Sequence, residues 1–203
     1  MADRQGFAIV TAALHALTQS TVAAVVPGTL VQIGRPRAVG PAADKPAVTL
    51  TLYHLAANAG WRNAERVSRD PGGTVLAPPP LAFDLHYCIA IAGGARLASA
   101  QLLGALAAAF AGHALLTPAM LAAVRAADGA YPELAGPAAP ASPAEPVRLS
   151  SHYPAPADAA AIWSGLFALP HQPSLHLIVS PVLIATGDTP SAPLRITELP
   201  PGL

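Results

Sequence analysis

Charge, cysteine and aromatic side chains are all scarce in this chain of 203 residues. Only 11% of the residues are charged, against about 25% in an ordinary soluble domain, and eleven basic residues balance eleven acidic ones. No stretch clusters arginine or lysine, so the electrostatic footprint of a nucleic-acid binder is missing and nucleic acid is not expected as a partner. Cys88 is the single cysteine, which excludes an intrachain disulfide framework and a thiolate zinc site and fits assembly in a reducing cytoplasm. Met1 to Phe7 carry Asp3 and Arg4 in place of the basic-then-apolar layout of a signal peptide. The most lipid-like run, Leu102 to Leu116, contains Gly104, Gly112 and His113 and falls short of the roughly 20 apolar residues of a membrane helix. No membrane insertion is expected.

Apolar residues are plentiful: 53% of the chain is hydrophobic, and the mean hydropathy is +0.45. A chain of this length can bury about 70% of its unfolded surface in one core. The remaining surface is thinly charged and poorly protected against association, so an oligomer or a part of a larger assembly is expected. Ten arginines against one lysine, Lys45, with abundant alanine and 23 prolines, read as the codon usage of a GC-rich bacterial genome.

The apolar positions are periodic. Phe7, Val10, Leu14 and Leu17 predict a helix over about Arg4 to Ala24, with Asp3 as N-cap and Pro27 and Gly28 ending it. Thr29 to Ile33 is a short strand candidate. Val48, Leu50 and Leu52 alternate with Thr49, Thr51 and Tyr53, predicting a strand over 48–55. Leu81, Phe83, Leu85, Tyr87, Ile89 and Ile91 do the same against Ala82, Asp84, His86, Cys88 and Ala90, predicting a strand over 81–92 with one core face. Leu102, Leu103, Leu106 and Phe110 stripe a helix over about Arg96 to Ala111. Thr117 and Pro118 cap and open a third helix that Gly129 closes.

Further along, Val147 to His152 is a short strand, and Ala157 to Ala168 a helix with Asp158 in its first turn and Pro170 beyond its end. Leu175 to Ala185 alternates again but is interrupted by Pro181, which predicts an edge strand or a bulge. As an edge, it offers groups for a neighbouring subunit to pair with. Ala56 to Pro80 reads as one long loop, of the kind that binds a partner. Residues 132–146, with prolines at 132, 137, 140, 143 and 146, read as an internal Ala/Pro-rich loop. The sum is an α/β (α+β) single domain over 1–185: a mixed, mainly antiparallel sheet of about four strands with packed helices. A flexible tail over 186–203 follows.

Chemistry is weakly signalled. Asp84 and His86 share a strand face and His54 joins them if the strands are neighbours, but a metal site needs three or four converging ligands. A small metal-dependent enzyme is therefore the remote alternative, and polar groups hydrogen-bonding nearby loops the better reading. Cys88 reads as a buried packing residue. Gly93 and Gly94 lack the lysine and hydroxyl of a phosphate loop, and Ser164, in Trp-Ser-Gly-Leu, lacks an esterase elbow. No catalytic residue and no cofactor is expected. Trp61, Arg62 and Asn63 combine an aromatic anchor with an arginine, residue types enriched at interface hot spots. The competing reading folds Trp61 over the domain's own core, where Trp163 and Phe167 are also expected.

Three segments, taken together, resemble one family: Leu-Tyr-His-Leu-Ala-Ala-Asn-Ala-Gly-Trp-Arg-Asn (Leu52 to Asn63), Pro-Pro-Leu-Ala-Phe-Asp-Leu-His-Tyr (Pro79 to Tyr87), and Ile-Trp-Ser-Gly-Leu with Ser-Leu-His-Leu-Ile-Val-Ser-Pro-Val-Leu-Ile (within Ile162 to Ile184). In their order and spacing, the chain resembles the cap, or tail-terminator, proteins of phage-tail-like contractile injection systems of the antifeeding-prophage type. The resemblance implies a non-enzymatic structural protein that forms a homo-oligomeric, six-fold ring on the distal end of the tube and sheath, ends their polymerisation and anchors the sheath end. It also implies assembly in the cytoplasm and release within an extracellular particle. The family's motif puts Asn58, Arg62 and Asn63 in the loop after a strand, and Asp84, His86 and Tyr87 in a sheet strand. The expected interface set is Asn58, Trp61, Arg62, Asn63 and Pro181. The alternative is a non-ring adaptor or anchoring component of the same particle. The chain departs from the family pattern in its Ala135 to Pro146 stretch and its thin surface charge.

Overall fold

The computed structural model describes residues 4–38, 45–61, 68–69, 75–77, 80–94, 97–127, 129–134 and 146–186. The elements run α1 (Gly6–Val25), β1 (Leu30–Ile33), β2 (Ala47–Ala57), β3 (Ser68–Arg69), β4 (Val75–Ala77), β5 (Leu81–Ala92), α2 (Ala98–Gly112), β6 (Leu115–Leu116), α3 (Pro118–Ala126), β7 (Val147–His152), α4 (Pro156–Ala161) and β8 (Ser174–Ile184). Six strands form one sheet in the order β1-β2-β5-β8-β7-β6. The β1–β2 pair is parallel and the other pairs are antiparallel.

Alternation along each strand sends one set of side chains to a common core. Leu50 lies opposite Ile89 and Leu52 opposite Tyr87; Leu85 and Tyr87 lie opposite Val179 and Leu177; Leu149 lies opposite Val179 from the other side. Onto this face pack Ile9, Val10, Leu14 and Val22 of α1, Leu102, Leu106 and Phe110 of α2, and Leu121 of α3, all buried in one cluster. Tyr87 is fully buried there, with its hydroxyl 2.8 Å from Thr11 Oγ1, and burial pushes its phenol pKa up.

Several expectations are corrected at the ends of elements. The first helix begins at Gly6 with Gln5 at the cap position and no side-chain cap, so Asp3, which lies outside the described residues, is not the N-cap. Gly6 is placed where the helix start meets β8: a Cβ there would lie 3.0 Å from Ile184 Cδ1 and 3.1 Å from the Leu183 carbonyl oxygen. By length and composition, α1 is the one helix among the described residues apolar enough to cross a membrane. It passes on length, whereas the apolar run at 102–116 lies in the shorter α2 and β6; the buried Ile9, Val10, Leu14 and Val22 give the apolarity of α1 a role in the core. Thr117 does cap α3, accepting from the Met120 N–H at 3.3 Å, although that helix stops at Ala126, before Gly129.

The expected helix over 157–168 is α for one stretch only. It continues as a π turn over Ile162–Phe167 and stops at Ala168, whose φ of 54° is left-handed. Wide turns of this kind are confined to short insertions in helices. The expected loop over 56–80 contains β3 and β4, which pair with each other in a separate two-stranded sheet. Strand β6 went unread because two residues carry no period.

Strand β8 is internal and not an edge, because it pairs with β5 on one side and β7 on the other. The bulge alternative is what forms. Val179 pairs with Leu85 and Val182 with Phe83, so Ser180 and Pro181 together face Asp84. Pairing to β7 ends at Ser180, so the missing N–H of Pro181 costs no bond on that side. Among the described residues, only 181–184 of β8 have no strand beside them on the β7 side.

Candidate interaction surfaces

The second face of the sheet is polar, and a further bulge shapes it. Leu52 pairs with Tyr87 and His54 with His86, leaving Tyr53 as the extra residue. Tyr53 therefore comes edge-on to both His86 and His176, at ring-centre distances of 6.1 and 5.7 Å. His54 and His86 are 5.0 Å apart, and His86 and His152 are 5.9 Å apart. At the other end of this face, Trp163 and Phe167 from the π turn close a small core over Cys88 and Ala90. Burial pushes the Cys88 thiol pKa up to about 12, so at neutral pH it is a packing group and not a nucleophile.

Asp84 does not pool its carboxylate with His86 and His54 as ligands. Its Oδ1 accepts from Asn58 Nδ2 at 2.7 Å and from the Ser180 hydroxyl, while Asn58 Nδ2 also reaches Ser180 Oγ at 2.9 Å. The Asn58 main-chain N–H donates to the Ala82 carbonyl at 3.0 Å, and its Oδ1 accepts from the Trp61 N–H at 2.9 Å. Asn58 thus ties the end of β2, the start of β5 and the β8 bulge to the loop that carries Trp61. It is a positioning residue, with both ends of its side chain in use inside the molecule. Among the described residues, no three of His, Cys, Asp and Glu are arranged to hold a metal ion.

The structure therefore brings together Asn58, Asp84, Trp61 and the bulge at Pro181, with Trp61 half-buried. Arg62 and Asn63 lie outside the described residues. Sequence reasoning missed Ser180, the third member of the Asn58 and Asp84 knot. The available signal was a lone hydroxyl next to a proline in an otherwise apolar strand. It also missed His152 and His176, which stand opposite each other on β7 and β8.

Burial lowers the pKa of His86, and the neighbouring His54 and His152 lower it further against the opposing pull of Asp84. Burial likewise lowers the pKa of His176, helped by His152 and His171. Both rings therefore bind a proton less readily folded than unfolded. The unfolded chain gains protons first as pH falls through about 6.5, so stability declines there. The melting temperature should drop between about pH 7.5 and about pH 5, and His86→Gln should flatten that slope in a thermal scan.

Residues 9–198 match the profile of the Pvc16 N-terminal domain. The chain belongs to the Pvc16 N-terminal domain family. No curated protein matches it in sequence. This Pvc16 N-terminal domain is similar to the sheath/tube terminator, in its extended state, of PVC, an extracellular contractile injection system. The TM-score is 0.60 and the identity 14%, over 96% of this chain and 62% of that one. It is also similar to the tube-terminating cap of the anti-feeding prophage, with a TM-score of 0.55 and 16% identity over 93% of this chain and 59% of that one. At these identities the likeness is one of fold. The Pvc16 domain spans about three fifths of each of those chains.

Proposed function

We propose that this chain is a cap subunit of a contractile injection particle, a non-enzymatic protein that ends the sheath and tube. The match to the Pvc16 N-terminal domain over 9–198 carries the reading. The fold shared with a sheath/tube terminator and a tube-terminating cap supports it. In this reading the protein works as part of a particle that acts outside the cell, having been assembled in the cytoplasm.

A six-fold ring needs a heterologous interface, in which one surface of each copy meets a different surface of the next. Two surfaces suit the task. One is the loop after β2, where Asn58 holds the start of the turn that carries Trp61; Arg62 and Asn63 follow in sequence. The other is a strand edge. The expected edge at Pro181 is confined to the last residues of β8, whereas β1, among the described residues, pairs only with β2 and exposes Leu30 and Ile33 by 59% and 50%. Open edges and exposed apolar groups of this kind recruit partners. A ring whose outer side offers no equivalent edge would stop further growth, and simultaneous engagement of several copies would strengthen weak single contacts.

Light scattering on the purified protein, alone and after adding isolated sheath or tube rings, tests the proposal. A species near six copies, or one formed only on those rings, is the expected result. A monomer that ignores both rings overturns the proposal and favours the non-ring adaptor.

A further inference from the structure

A cleft of about 190 Å³ opens beside the end of β7. Drug-sized ligands occupy pockets of roughly 300–1,000 Å³, so this one suits a smaller molecule. His152, His171 and His176 line it together with Ser151, and the partly exposed Pro154 and Leu175 add apolar surface. Among the described residues, the lining contains no Asp, Glu, Lys or Arg.

One buried group there lacks a partner. His176 is 7% exposed, yet its Nδ1 is buried without a hydrogen bond, while its Nε2 sits 3.5 Å from Ser174 Oγ. Beside it, the strand edge turns a main-chain amide outward. The Leu149 N–H points away from β8 to the Ala114 carbonyl at 2.8 Å. Alternation along an antiparallel strand turns the Ser151 N–H to the same side, beyond the point where β6 ends its pairing at Arg148. A buried imidazole nitrogen without a partner is costly unless something completes it, and the amide of the exposed Ser151 adds a donor on the open side of β7.

We propose that this cleft binds a small monocarboxylate with an apolar body, its oxygens received by the imidazoles and the Ser151 amide and its body lying against Pro154 and Leu175. Neutral imidazoles each supply one donor, and a bound anion favours their protonated forms, in which both ring nitrogens donate. Binding should therefore take up protons and strengthen as pH falls.

The groups that bear on this charge are few. Tyr53 faces His176 from β2, Cys88 stands opposite it on β5, and His86 faces His152. Arg148 lies on the same face of β7 as His152, Asp158 is in the first turn of α4, and α2 has no charged residue. With Arg148 and Asp158 outside the lining, the histidines control the local charge.

The test is a titration with benzoate, followed through the imidazole carbon-bound protons by NMR at about pH 6 and about pH 8. Saturating shifts at His152, His171 and His176 below about 10 mM, at least about tenfold tighter at the lower pH, are expected. The exposed His171→Gln variant, checked for folding by near-UV circular dichroism, should bind about threefold to tenfold more weakly. The neutral isostere benzamide should bind at least about tenfold more weakly than benzoate. Absence of shifts, equal binding of benzamide, or affinity that is unchanged by pH would overturn the proposal.

Discussion

Replacing Trp163 by alanine should lower the stability of the domain by about 3–5 kcal/mol and make Cys88 reactive. Trp163 is 2% exposed and meets Phe167 edge-on at 5.2 Å. Together they form the buried cover of Cys88 and Ala90 on the second face of the sheet. Truncation removes the largest fully buried side chain in the described part of the protein and leaves a cavity that a π turn is poorly placed to close. In a domain of this size the melting temperature should fall by roughly 6–20 °C. The indole Nε1 has no hydrogen-bond partner, so Trp163→Phe forfeits volume but no bond and should cost only about 1–2 kcal/mol. Urea unfolding measures both losses. Thiol labelling under native conditions reports the cover directly, and a fully protected Cys88 in Trp163→Ala would mean that another segment shields this face.

Removing the Asp84 carboxylate should cost about 1–3 kcal/mol, because it leaves the Ser180 hydroxyl and one Asn58 amide donor without their acceptor. Asn58→Ala should cost a comparable amount, since it also frees the Trp61 N–H. The two residues act as one knot, so the double variant should lose less than the sum of the single losses, with a coupling of about 0.5–3 kcal/mol. Simple additivity in urea titrations would show that the hydrogen bonds are not cooperative. A second readout reaches function. If the Trp61 loop docks onto a neighbouring chain, each variant should co-sediment less with sheath or tube rings at temperatures where it is still folded. Unimpaired docking by a folded Asn58→Ala protein would remove this loop from the proposed interface.

Periodicity made much of the architecture legible. Alternation in 81–92 and 48–55 foretold the two strands that carry the centre of the core, and the stripe of Leu102, Leu106 and Phe110 foretold the buried face of α2. A hydroxyl followed by proline foretold the cap at Thr117. Each of these signals is local, acting within a turn of helix or a few residues of strand. Cys88, Trp163 and Phe167 were also readable as core, since their side chains have few favourable places outside it.

What the order of residues could not reveal was which strands would be neighbours. Asn58 and Ser180 are 122 positions apart and hydrogen-bonded, and nothing near either one specifies the other. His54 and His86 come together because β2 pairs with β5, and His152 and His176 because β7 pairs with β8; the two pairs share one face because β8 inserts between β5 and β7. The same insertion made the Pro181 strand internal. The bulges at Tyr53 and at Ser180 and Pro181 then decided which side chains share a face, as one extra residue reverses the alternation beyond it. The elements and their apolar faces follow from near neighbours along the chain, which is why residue order was enough to read them. Tertiary structure alone decided the histidine face, the Asn58 knot and the cleft beside β7, because each is assembled across strands whose order no local pattern encodes.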